Sequence, residues 1–366
     1  MGPGPAARVL RVEQPFRMRS GGELPLIDVA YETWGTLDRE RRNAVLLFTG
    51  LSPSAHAASS GADPSPGWWE DMVGPGRPFD TQRYFVICVN SLGSCFGSTG
   101  PASTDPRTGA TYRLRFPVLT IEDIAAAAHE VVIALGIERL CAVAGSSMGG
   151  MDALAYALLF PAGVRALVQV SCAVHSLPFA IALRSLQREM IRSDPEWQGG
   201  DYAPGQGPIR GMRLARKLGM ITYRSATEWR ERFGRERVSQ ASGDAFGINF
   251  EIESYLEAHA LKFVGGYDAN CYLYMSRAMD LFDAAAHGGG SLERAFARVD
   301  VDDALVIGVD TDFLFPVDQQ RELSSLLDAP GRRVEFHALP SIQGHDSFLV
   351  DMERFRPVLG DFFASL

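Results

Sequence analysis

The sequence predicts an α/β protein built on a mostly parallel β-sheet with helices on both faces. Short apolar runs, such as residues 44–48 and 140–144, alternate with stretches of helical spacing, such as residues 121–135. Continuous apolar runs of this length are typical of parallel strands that are buried on both faces. Strands that alternate with helices along the chain predict βαβ units, and these units build a parallel sheet.

The individual elements of this sheet are predicted from local patterns. Alternating apolar and polar residues near the N-terminus predict two early strands, and continuous apolar runs predict the buried strands that follow. Ala- and Leu-rich stretches with helical spacing predict the covering helices. In chain order, the predicted strands cover residues 8–13, 27–34, 44–48, 84–90, 140–144, 166–171, 304–309 and 334–339, and the predicted core helices cover residues 121–135, 151–160 and 350–366.

A long segment between the later strands lacks a strand pattern and is predicted to be helical. We therefore expect a core domain formed by residues 1–175 and 299–366 and a helical lid domain formed by residues 176–298. An insertion at this place in an α/β sheet roofs the pocket and excludes water; the alternative is a second packing domain without a direct function. The predicted helices of the segment cover residues 179–192, 211–222, 226–233, 250–263 and 270–283.

Composition and charge exclude several classes of function. The 366 residues are 46% hydrophobic, which suffices for a large core, and the formal net charge of −9 argues against a nucleic-acid partner. No apolar run approaches the roughly 18 residues of a membrane span, and no secretion signal is recognisable. We therefore expect a cytoplasmic protein with no membrane partner. The five cysteines are scattered without metal-ligand spacing, so no metal site is predicted.

The pattern Gly-x-Ser-x-Gly at residues 145–149 lies between a predicted strand and a predicted helix. In this setting the serine sits on a sharp turn that exposes its hydroxyl above the sheet edge. The two flanking glycines allow the close backbone approach that such a turn needs. Ser147 is therefore the candidate nucleophile, although the motif by itself also arises by chance.

Two further residues complete a catalytic triad in chain order. Asp312 follows the predicted strand 304–309, and His345 follows the predicted strand 334–339. A carboxylate that orients an imidazole allows the imidazole to take the serine proton and return it to a leaving group. The order Ser147, Asp312, His345 is that of the α/β-hydrolase fold, in which the carboxyl ends of the strands carry the site. We predict this fold, with its helical lid insertion.

One known family shares the sequence pattern of residues 30–35, 89–95, 97–101, 147–151, 312–316 and 344–349. Through these segments the chain resembles the homoserine O-acetyltransferase family, together with its homoserine and serine O-succinyltransferase relatives, over nearly its whole length. The resemblance implies that Ser147 takes an acyl group from acyl-CoA, as co-substrate with no bound cofactor, and passes it to an amino-acid hydroxyl by a ping-pong mechanism. It also implies a homodimer joined through the lids.

An oxyanion hole is expected from two backbone N–H groups. That of Met148 follows from its position directly after the nucleophile, and that of Leu51 is implied by the resemblance. The loop of Leu51 departs from the common His-x-Leu-Thr-Gly pattern and looks like that of members that acylate L-serine. L-serine is therefore the expected acceptor, with L-homoserine left open. The residues that we expect to influence substrate choice in this loop are Ser52, Pro53 and Ser54.

Further site residues are expected to bind the substrates. The resemblance assigns Arg216 to the α-carboxylate and Asp346 to the α-ammonium of the acceptor, which suits their charges. Arg216 could otherwise be a solvated helix charge, and Asp346 a helix cap. Arg184 is a candidate for binding the free carboxylate of a succinyl group, with a surface arginine covering the lid as the alternative. Succinyl-CoA and acetyl-CoA both stay open as donors.

Two other functions compete with the acyltransferase hypothesis. An esterase or thioesterase would use the same triad with water as the acceptor, and it differs in how well water is excluded from the acyl-enzyme. A non-catalytic binding module would keep the fold alone. The intact set of Ser147, Asp312 and His345 argues against the binding module.

Overall fold

An eight-stranded sheet forms the centre of the computed structural model, which describes residues 2–203, 205–239 and 243–366. The strands are β1 (Arg8–Val12), β2 (Phe16–Arg17), β3 (Glu23–Leu24), β4 (Ile27–Trp34), β5 (Ala44–Phe48), β6 (Val73–Gly74), β7 (Phe79–Asp80), β8 (Phe85–Val89), β9 (Leu140–Ser146), β10 (Val164–Val170), β11 (Asp303–Val309) and β12 (Arg333–Leu339). The helices are α1 (Ile121–Ala134), α2 (Met148–Leu159), α3 (Pro178–Arg192), α4 (Ile209–Tyr223), α5 (Ala226–Phe233), α6 (Glu251–Phe263), α7 (Ala269–Leu281), α8 (Leu292–Phe296), α9 (Val317–Leu327), α10 (Ser347–Val350) and α11 (Met352–Ser365).

The sheet is mostly parallel, as predicted, and its strand order is β1-β4-β8-β5-β9-β10-β11-β12. Strand β4 runs antiparallel to both of its neighbours, and the pairs from β8 to β12 are parallel. Strands β2 with β3 and β6 with β7 form two separate two-stranded ribbons. The predicted fold class is confirmed.

The strand register places the nucleophile beside the loop that follows β5. Phe48 at the end of β5 is paired with Gly145, and Ser146 at the end of β9 is paired with Val170. The carboxyl ends of β5, β9 and β10 therefore meet at one edge of the sheet. In open α/β sheets this edge is where ligands bind.

Two hydrophobic clusters cover the two faces of the sheet. Leu46 on β5 and Val143 on β9 pack in the cluster that includes α1 and α2. Val45 and Leu47, which alternate with Leu46, pack in the opposite cluster together with Phe362 of α11. This alternation is the period of a β-strand. The strands are apolar throughout because both of their faces are buried, and each fully buried Leu or Val contributes on the order of 2 kcal/mol.

Helices α1 and α2 pack together through an aromatic contact. A capping box begins α1, in which the Thr120 hydroxyl accepts from the N–H of Asp123. On the same helix, the ring of His129 stacks on Phe160 at 3.7 Å, and its Nδ1 lies 2.8 Å from the hydroxyl of Tyr156. Burial in this contact lowers the pKa of His129 to about 4.

The segment between β10 and β11 is helical, as its sequence pattern predicts. Helices α3 to α7 begin and end within two residues of their predicted bounds. They enclose a third hydrophobic cluster, which includes Tyr202, Met212, Tyr267 and Tyr272. The segment leaves the sheet and returns to it at neighbouring strands, since β10 and β11 are adjacent.

Bilayer-spanning helices and clusters of metal ligands are absent from residues 2–203, 205–239 and 243–366. Within these ranges, no helix combines the length and the apolar character that crossing a bilayer requires. The same ranges contain no group of three or more His, Cys, Asp or Glu side chains that is placed to hold a metal ion. All five cysteine side chains are buried.

Candidate active site

Ser147 lies on the turn between β9 and α2 in a strained backbone conformation, with φ 56° and ψ −121°. Close packing explains the two glycines around it. A Cβ on Gly145 would overlap the carbonyl oxygen of Gly149, and a Cβ on Gly149 would lie 2.5 Å from the carbonyl oxygen of Phe48. Only glycine fits at both places, and the turn holds the Ser147 side chain above the sheet edge.

The structure brings Ser147, His345 and Asp312 into one hydrogen-bonded chain. Nε2 of His345 lies 2.8 Å from Oγ of Ser147, and Nδ1 of His345 lies 2.7 Å from Oδ2 of Asp312. The other oxygen of Asp312 accepts from the N–H groups of Leu314 and Phe315, each at 2.9 Å. A carboxylate accepts hydrogen bonds only, so Nδ1 carries its proton and Nε2 is left to accept from the serine hydroxyl.

The surroundings of His345 hold its ring in position and favour its protonated form. The ring is buried, with Phe315 stacked at 5.1 Å and Phe348 edge-on at 5.6 Å. Burial lowers the pKa of His345, but the charge and hydrogen bond of Asp312 outweigh it and leave the pKa raised above its ordinary value. An imidazolium formed by proton transfer from Ser147 is therefore stabilised by the buried carboxylate.

The two expected oxyanion donors, the N–H groups of Met148 and Leu51, belong to segments that start beside Ser147. Met148 is the first residue of α2, where helix N–H groups have no partner within the helix. Leu51 lies in the loop after β5, and its carbonyl oxygen accepts from the hydroxyl of Tyr267 at 3.0 Å. Because Phe48 is paired with Gly145, this loop starts beside the nucleophile turn. The arrangement suits the stabilisation of a tetrahedral intermediate.

The loop that follows Leu51 is fixed by contacts outside the triad. Ser52, Pro53 and Ser54 are half-buried, and the carbonyl oxygen of Ser54 accepts from the indole N–H of Trp68 at 3.1 Å. Two residues later, Nδ1 of His56 lies 2.9 Å from a carboxylate oxygen of Glu32 on β4. The Glu32 side chain is buried, so this pair anchors the loop to the sheet.

Arg216 on α4 presents a guanidinium group with an unused hydrogen-bond donor. Its Nε is buried and has no hydrogen-bond partner within the part of the chain that the structure describes. The guanidinium carbon lies 4.5 Å from the ring centre of Phe263 and 5.9 Å from that of Tyr223. A buried donor without a partner is costly, and a bound carboxylate would satisfy it.

Asp346 follows His345 directly, and two arginines, Arg224 and Arg216, lie close enough to act on its charge. Oδ2 of Asp346 lies 3.4 Å from Nε of Arg224. Burial raises the pKa of Asp346, while the charges of Arg224 and Arg216 act against this rise. The structure thus places both residues that the resemblance assigns to the acceptor near the triad.

Comparisons with known proteins agree with this geometry. A family model described as the alpha/beta hydrolase fold matches residues 43–350. The serine O-succinyltransferase of Litchfieldella anticariensis is 60% identical over 361 residues, which are 98% of each chain. The homoserine O-acetyltransferase structure from Bacillus anthracis has a TM-score of 0.90 at 29% identity and covers 98% of this chain and 97% of its own. The chain belongs to this acyltransferase family of the α/β-hydrolase fold. The predicted resemblance and the predicted enzyme class are confirmed.

The same fold also supports hydrolysis in a related protein. The structure of esterase E22 has a TM-score of 0.88 at 29% identity and covers 98% of this chain and 99% of its own. Overall shape therefore does not separate acyl transfer to an amino acid from transfer to water. The choice between the two reactions has to be argued from the residues of the site.

Two residues of this acyltransferase site were not predicted from the sequence. The ring of Tyr223 lies 6.1 Å from that of His345, and Arg224 forms the ion pair with Asp346. Tyr223 follows Arg216 by seven positions on α4, which places the two side chains on one face of the helix. That spacing is a signal by which Tyr223 could have been found. Arg224 lies beyond the helix end, where no periodic pattern identifies it.

Arg184 of the acyltransferase lies inside the protein. It is 5% exposed, so the alternative of a surface arginine is wrong. Its Nε donates to Asp280 at 2.6 Å, and its Nη2 donates to the hydroxyl of Ser176 at 2.6 Å. Arg188 pairs with the same carboxylate at 2.6 Å. Two guanidinium groups therefore share one buried carboxylate, so these three side chains together carry more positive than negative charge.

Proposed function

We propose that this enzyme transfers a succinyl group from succinyl-CoA to the side-chain hydroxyl of L-serine through an acyl-Ser147 intermediate. The observation that carries the proposal is the chain of hydrogen bonds from Ser147 to His345 and Asp312, beside an insertion whose Arg216 has an unused donor. The choice of serine and succinate is supported by the relative at 60% identity, which is named serine O-succinyltransferase.

In the first half-reaction, Oγ of Ser147 attacks the thioester carbonyl carbon while Nε2 of His345 takes its proton. The N–H groups of Leu51 and Met148 stabilise the negative oxygen of the tetrahedral intermediate. His345 then gives its proton to the CoA sulfur as the carbon–sulfur bond breaks. CoA leaves as the thiol, and Ser147 holds the acyl group as an ester.

In the second half-reaction, the L-serine hydroxyl attacks this ester. Arg216 binds the α-carboxylate and Asp346 binds the α-ammonium group, which together aim the hydroxyl at the acyl carbon. His345 takes the hydroxyl proton and returns it to Oγ of Ser147 as the second tetrahedral intermediate collapses. The product is O-succinyl-L-serine, and the enzyme regains its starting state.

The proposed role of residues 176–298 is that of a lid that keeps water from the acyl-enzyme. Arg216 and Tyr223 on α4 approach the triad from this segment. A water-poor site favours transfer to the amino acid because hydrolysis of the ester is the competing reaction. We also propose Ser52, Pro53 and Ser54 as residues that shape the adjoining pocket.

We further propose that Arg184 selects the succinyl donor by attracting its free carboxylate. Arg184 and Arg188 face one carboxylate, Asp280, so the group retains positive charge. Arg184→Gln should reduce kcat/KM for succinyl-CoA at least tenfold and leave acetyl-CoA within twofold. Arg192→Gln on the same helix is the control, because Arg192 lies over the Trp197 ring instead. An equal loss with both donors would reject this role.

The assembly that we propose is a homodimer joined through the insertions. Exposed apolar side chains recur at a spacing of seven on two of its packed helices, with Phe179 and Leu186 on α3 and Leu214 and Ile221 on α4. Residues spaced in this way share one helix face. A second copy of the chain would remove both apolar faces from water.

A two-by-two assay tests the proposed function. Acetyl-CoA and succinyl-CoA are each combined with L-serine and L-homoserine, and CoA thiol, O-acyl amino acid and free acid are measured separately. Succinyl-CoA with L-serine should give the highest kcat/KM, with one ester formed per CoA released. The Ser147→Ala variant should lose this activity, and a fast reaction in that variant would contradict the proposal.

An esterase or thioesterase is the second candidate function, favoured by the similarity to esterase E22. Under this alternative, free succinate would form at one rate with or without an amino acid. The same assay therefore separates the two candidates. A rate of acid release that falls when L-serine is added would favour the transferase.

A further inference from the structure

We propose that Tyr267, which lies in the insertion, is a positioning residue of the oxyanion hole and links it to the acceptor-binding arginine. The inference rests on the proposed function for the roles of Leu51 and Arg216. It goes beyond that function because Tyr267 contacts Leu51, Phe96 and Phe263 and is not a member of the triad. Its evidence is a continuous series of contacts.

The first contact is the hydrogen bond from the Tyr267 hydroxyl to the carbonyl oxygen of Leu51, at 3.0 Å. Tyr267 lies between α6 and α7 and is 4% exposed. Its ring meets the ring of Phe96 edge-on at 5.6 Å. Burial raises the pKa of Tyr267 well above its usual value, so the hydroxyl remains a donor throughout the neutral range.

This hydrogen bond acts on the peptide group next to the proposed oxyanion donor. Fixing the carbonyl of Leu51 restricts the backbone rotation of that residue, and with it the direction of its N–H group. The Leu51 side chain is partly buried and packs against both the core cluster and the cluster of the insertion. Leu51 therefore lies where the insertion meets the sheet, and Tyr267 holds it there.

The second contact leads from Tyr267 to the acceptor side. The ring of Phe263 stacks on that of Tyr267 at 5.7 Å with an interplanar angle of 14°. The guanidinium of Arg216 lies over the other member of this pair, Phe263, at 4.5 Å. A cation over an aromatic face is attracted to it. One aromatic stack thus supports the acceptor-binding cation and also carries the hydroxyl that fixes Leu51.

A matched pair of variants tests this role. Tyr267→Phe removes only the hydroxyl that donates to Leu51. Tyr274→Phe is the control, because Tyr274 on α7 also donates to a core-loop carbonyl, that of Phe116 at 2.7 Å. Each full-length variant is assayed for burst acylation by p-nitrophenyl acetate, for turnover of succinyl-CoA with L-serine, and for thermal unfolding.

The expected result is a loss confined to steps that need the oxyanion hole. Tyr267→Phe should slow acylation by both the activated ester and the thioester about tenfold, with KM for L-serine within twofold. The pH at which acylation is half-maximal should not move, because His345 is not altered. Tyr274→Phe should acylate at the wild-type rate, even if it unfolds at the same temperature as Tyr267→Phe.

Two results would overturn the inference. One is acylation of Tyr267→Phe at the rate of Tyr274→Phe, and the other is a defect seen only in KM for L-serine. The activated ester keeps this test separate from the proposed function. If the wild-type enzyme made no O-succinyl-L-serine but Tyr267→Phe still slowed the ester burst, the proposed function would fail and the role of Tyr267 would stand.

Discussion

Two features of Ser147 lower the stability of the fold, and its role as the proposed nucleophile explains both. Its φ of 56° is unfavourable for a residue with a side chain, which typically costs about 1–3 kcal/mol. It also occupies the N-cap position of α2 without using its hydroxyl as a cap. A serine that capped the helix would stabilise it by about 1 kcal/mol. Here the hydroxyl instead forms a hydrogen bond with Nε2 of His345, which activates Ser147 as a nucleophile. The protein is therefore less stable at this residue than it would be with a capping serine.

Replacing Ser147 with two different small residues should separate the strain from the chemistry. Ser147→Gly and Ser147→Ala both remove the nucleophile, but only glycine adopts a positive φ without strain. We expect Ser147→Gly to have a free energy of unfolding about 1 kcal/mol higher than that of Ser147→Ala. Urea unfolding of the two inactive proteins measures the difference. Equal values would show that the turn is not strained.

The raised pKa of His345 predicts how acylation depends on pH. The neutral imidazole is the base, so the acylation rate should rise with pH through a midpoint above the ordinary histidine value of about 6.5. In Asp312→Asn the charge that raises this pKa is absent and burial remains, so the midpoint should move to lower pH. The maximal rate should also fall by about 10³–10⁴-fold, as for an equivalent change in a serine protease.

Stopped-flow measurements of acylation between pH 5 and 9 test this expectation. Asp310→Asn is a suitable control because Asp310 is exposed at the end of the same strand. A midpoint that rises in Asp312→Asn would contradict the proposed role of its charge.

The sequence predicts that Ser147, Asp312 and His345 lie together because each one follows its own strand. Ser147, Asp312 and His345 need only the strand positions and a parallel sheet to be brought together. Tyr223 and Tyr267 were not predicted, because their contacts depend on how the insertion docks on the core. Such contacts join residues far apart in the chain. The seven-residue spacing from Arg216 indicates the helix face of Tyr223, but no local period marks Tyr267.

At the scale of the elements, the contact between α1 and α2 contains a half-buried histidine that the mechanism does not use. His129 stays neutral in the folded protein down to a pH of about 4, whereas in the unfolded chain it becomes charged below about pH 6.5. The unfolded state therefore binds more protons in this interval. The contribution of neutral His129 to the free energy of unfolding is fully present above pH 6.5. It is lost as the pH falls toward 4.

A substitution at His129 should remove part of the acid sensitivity of the fold. His129→Gln keeps a polar group near Tyr156 but cannot titrate. Its free energy of unfolding should therefore fall by about 1–2 kcal/mol less than that of the wild type between pH 6.5 and 4, since the ring is only partly buried and solvent weakens the effect. Denaturant titrations at several pH values measure this. His337→Gln is the control, since the side chain of His337 is 39% exposed. Identical pH profiles for His129→Gln and the wild type would contradict the expectation.

The helices of the insertion show what the sequence could and could not predict about elements. Their bounds were predicted to within two residues, because each has its own apolar spacing between loop residues. Their arrangement was not predicted. The buried ion pairs of Arg184 and Arg188 with Asp280 join α3 to α7, and an arginine in a helical pattern gives no sign of burial.

At the scale of the whole molecule, the exposed apolar faces of α3 and α4 predict the assembly. Leu214→Glu combined with Ile221→Glu should convert the proposed dimer to a monomer, because charged side chains in the interface would lose their hydration. Light scattering coupled to gel filtration measures the mass. Ile133→Glu changes an exposed apolar residue of α1 and should leave the dimer intact. A wild-type mass near the 39.9 kDa of one chain would reject the dimer.

The insertion, residues 176–298, is attached to the sheet at two neighbouring strands, so it can be exchanged between relatives as a single segment, here called the cassette. Ser147 precedes the cassette in the chain, and Asp312 and His345 follow it, so grafting a relative's segment between β10 and β11 would leave the bond-making groups in the recipient. Both cations that we propose for substrate choice, Arg184 and Arg216, would travel with the graft. A successful chimera would therefore exchange the part of specificity that these two cations set, while Ser52, Pro53 and Ser54 would stay with the recipient. The incoming segment would also have to supply a hydroxyl where Tyr267 reaches Leu51.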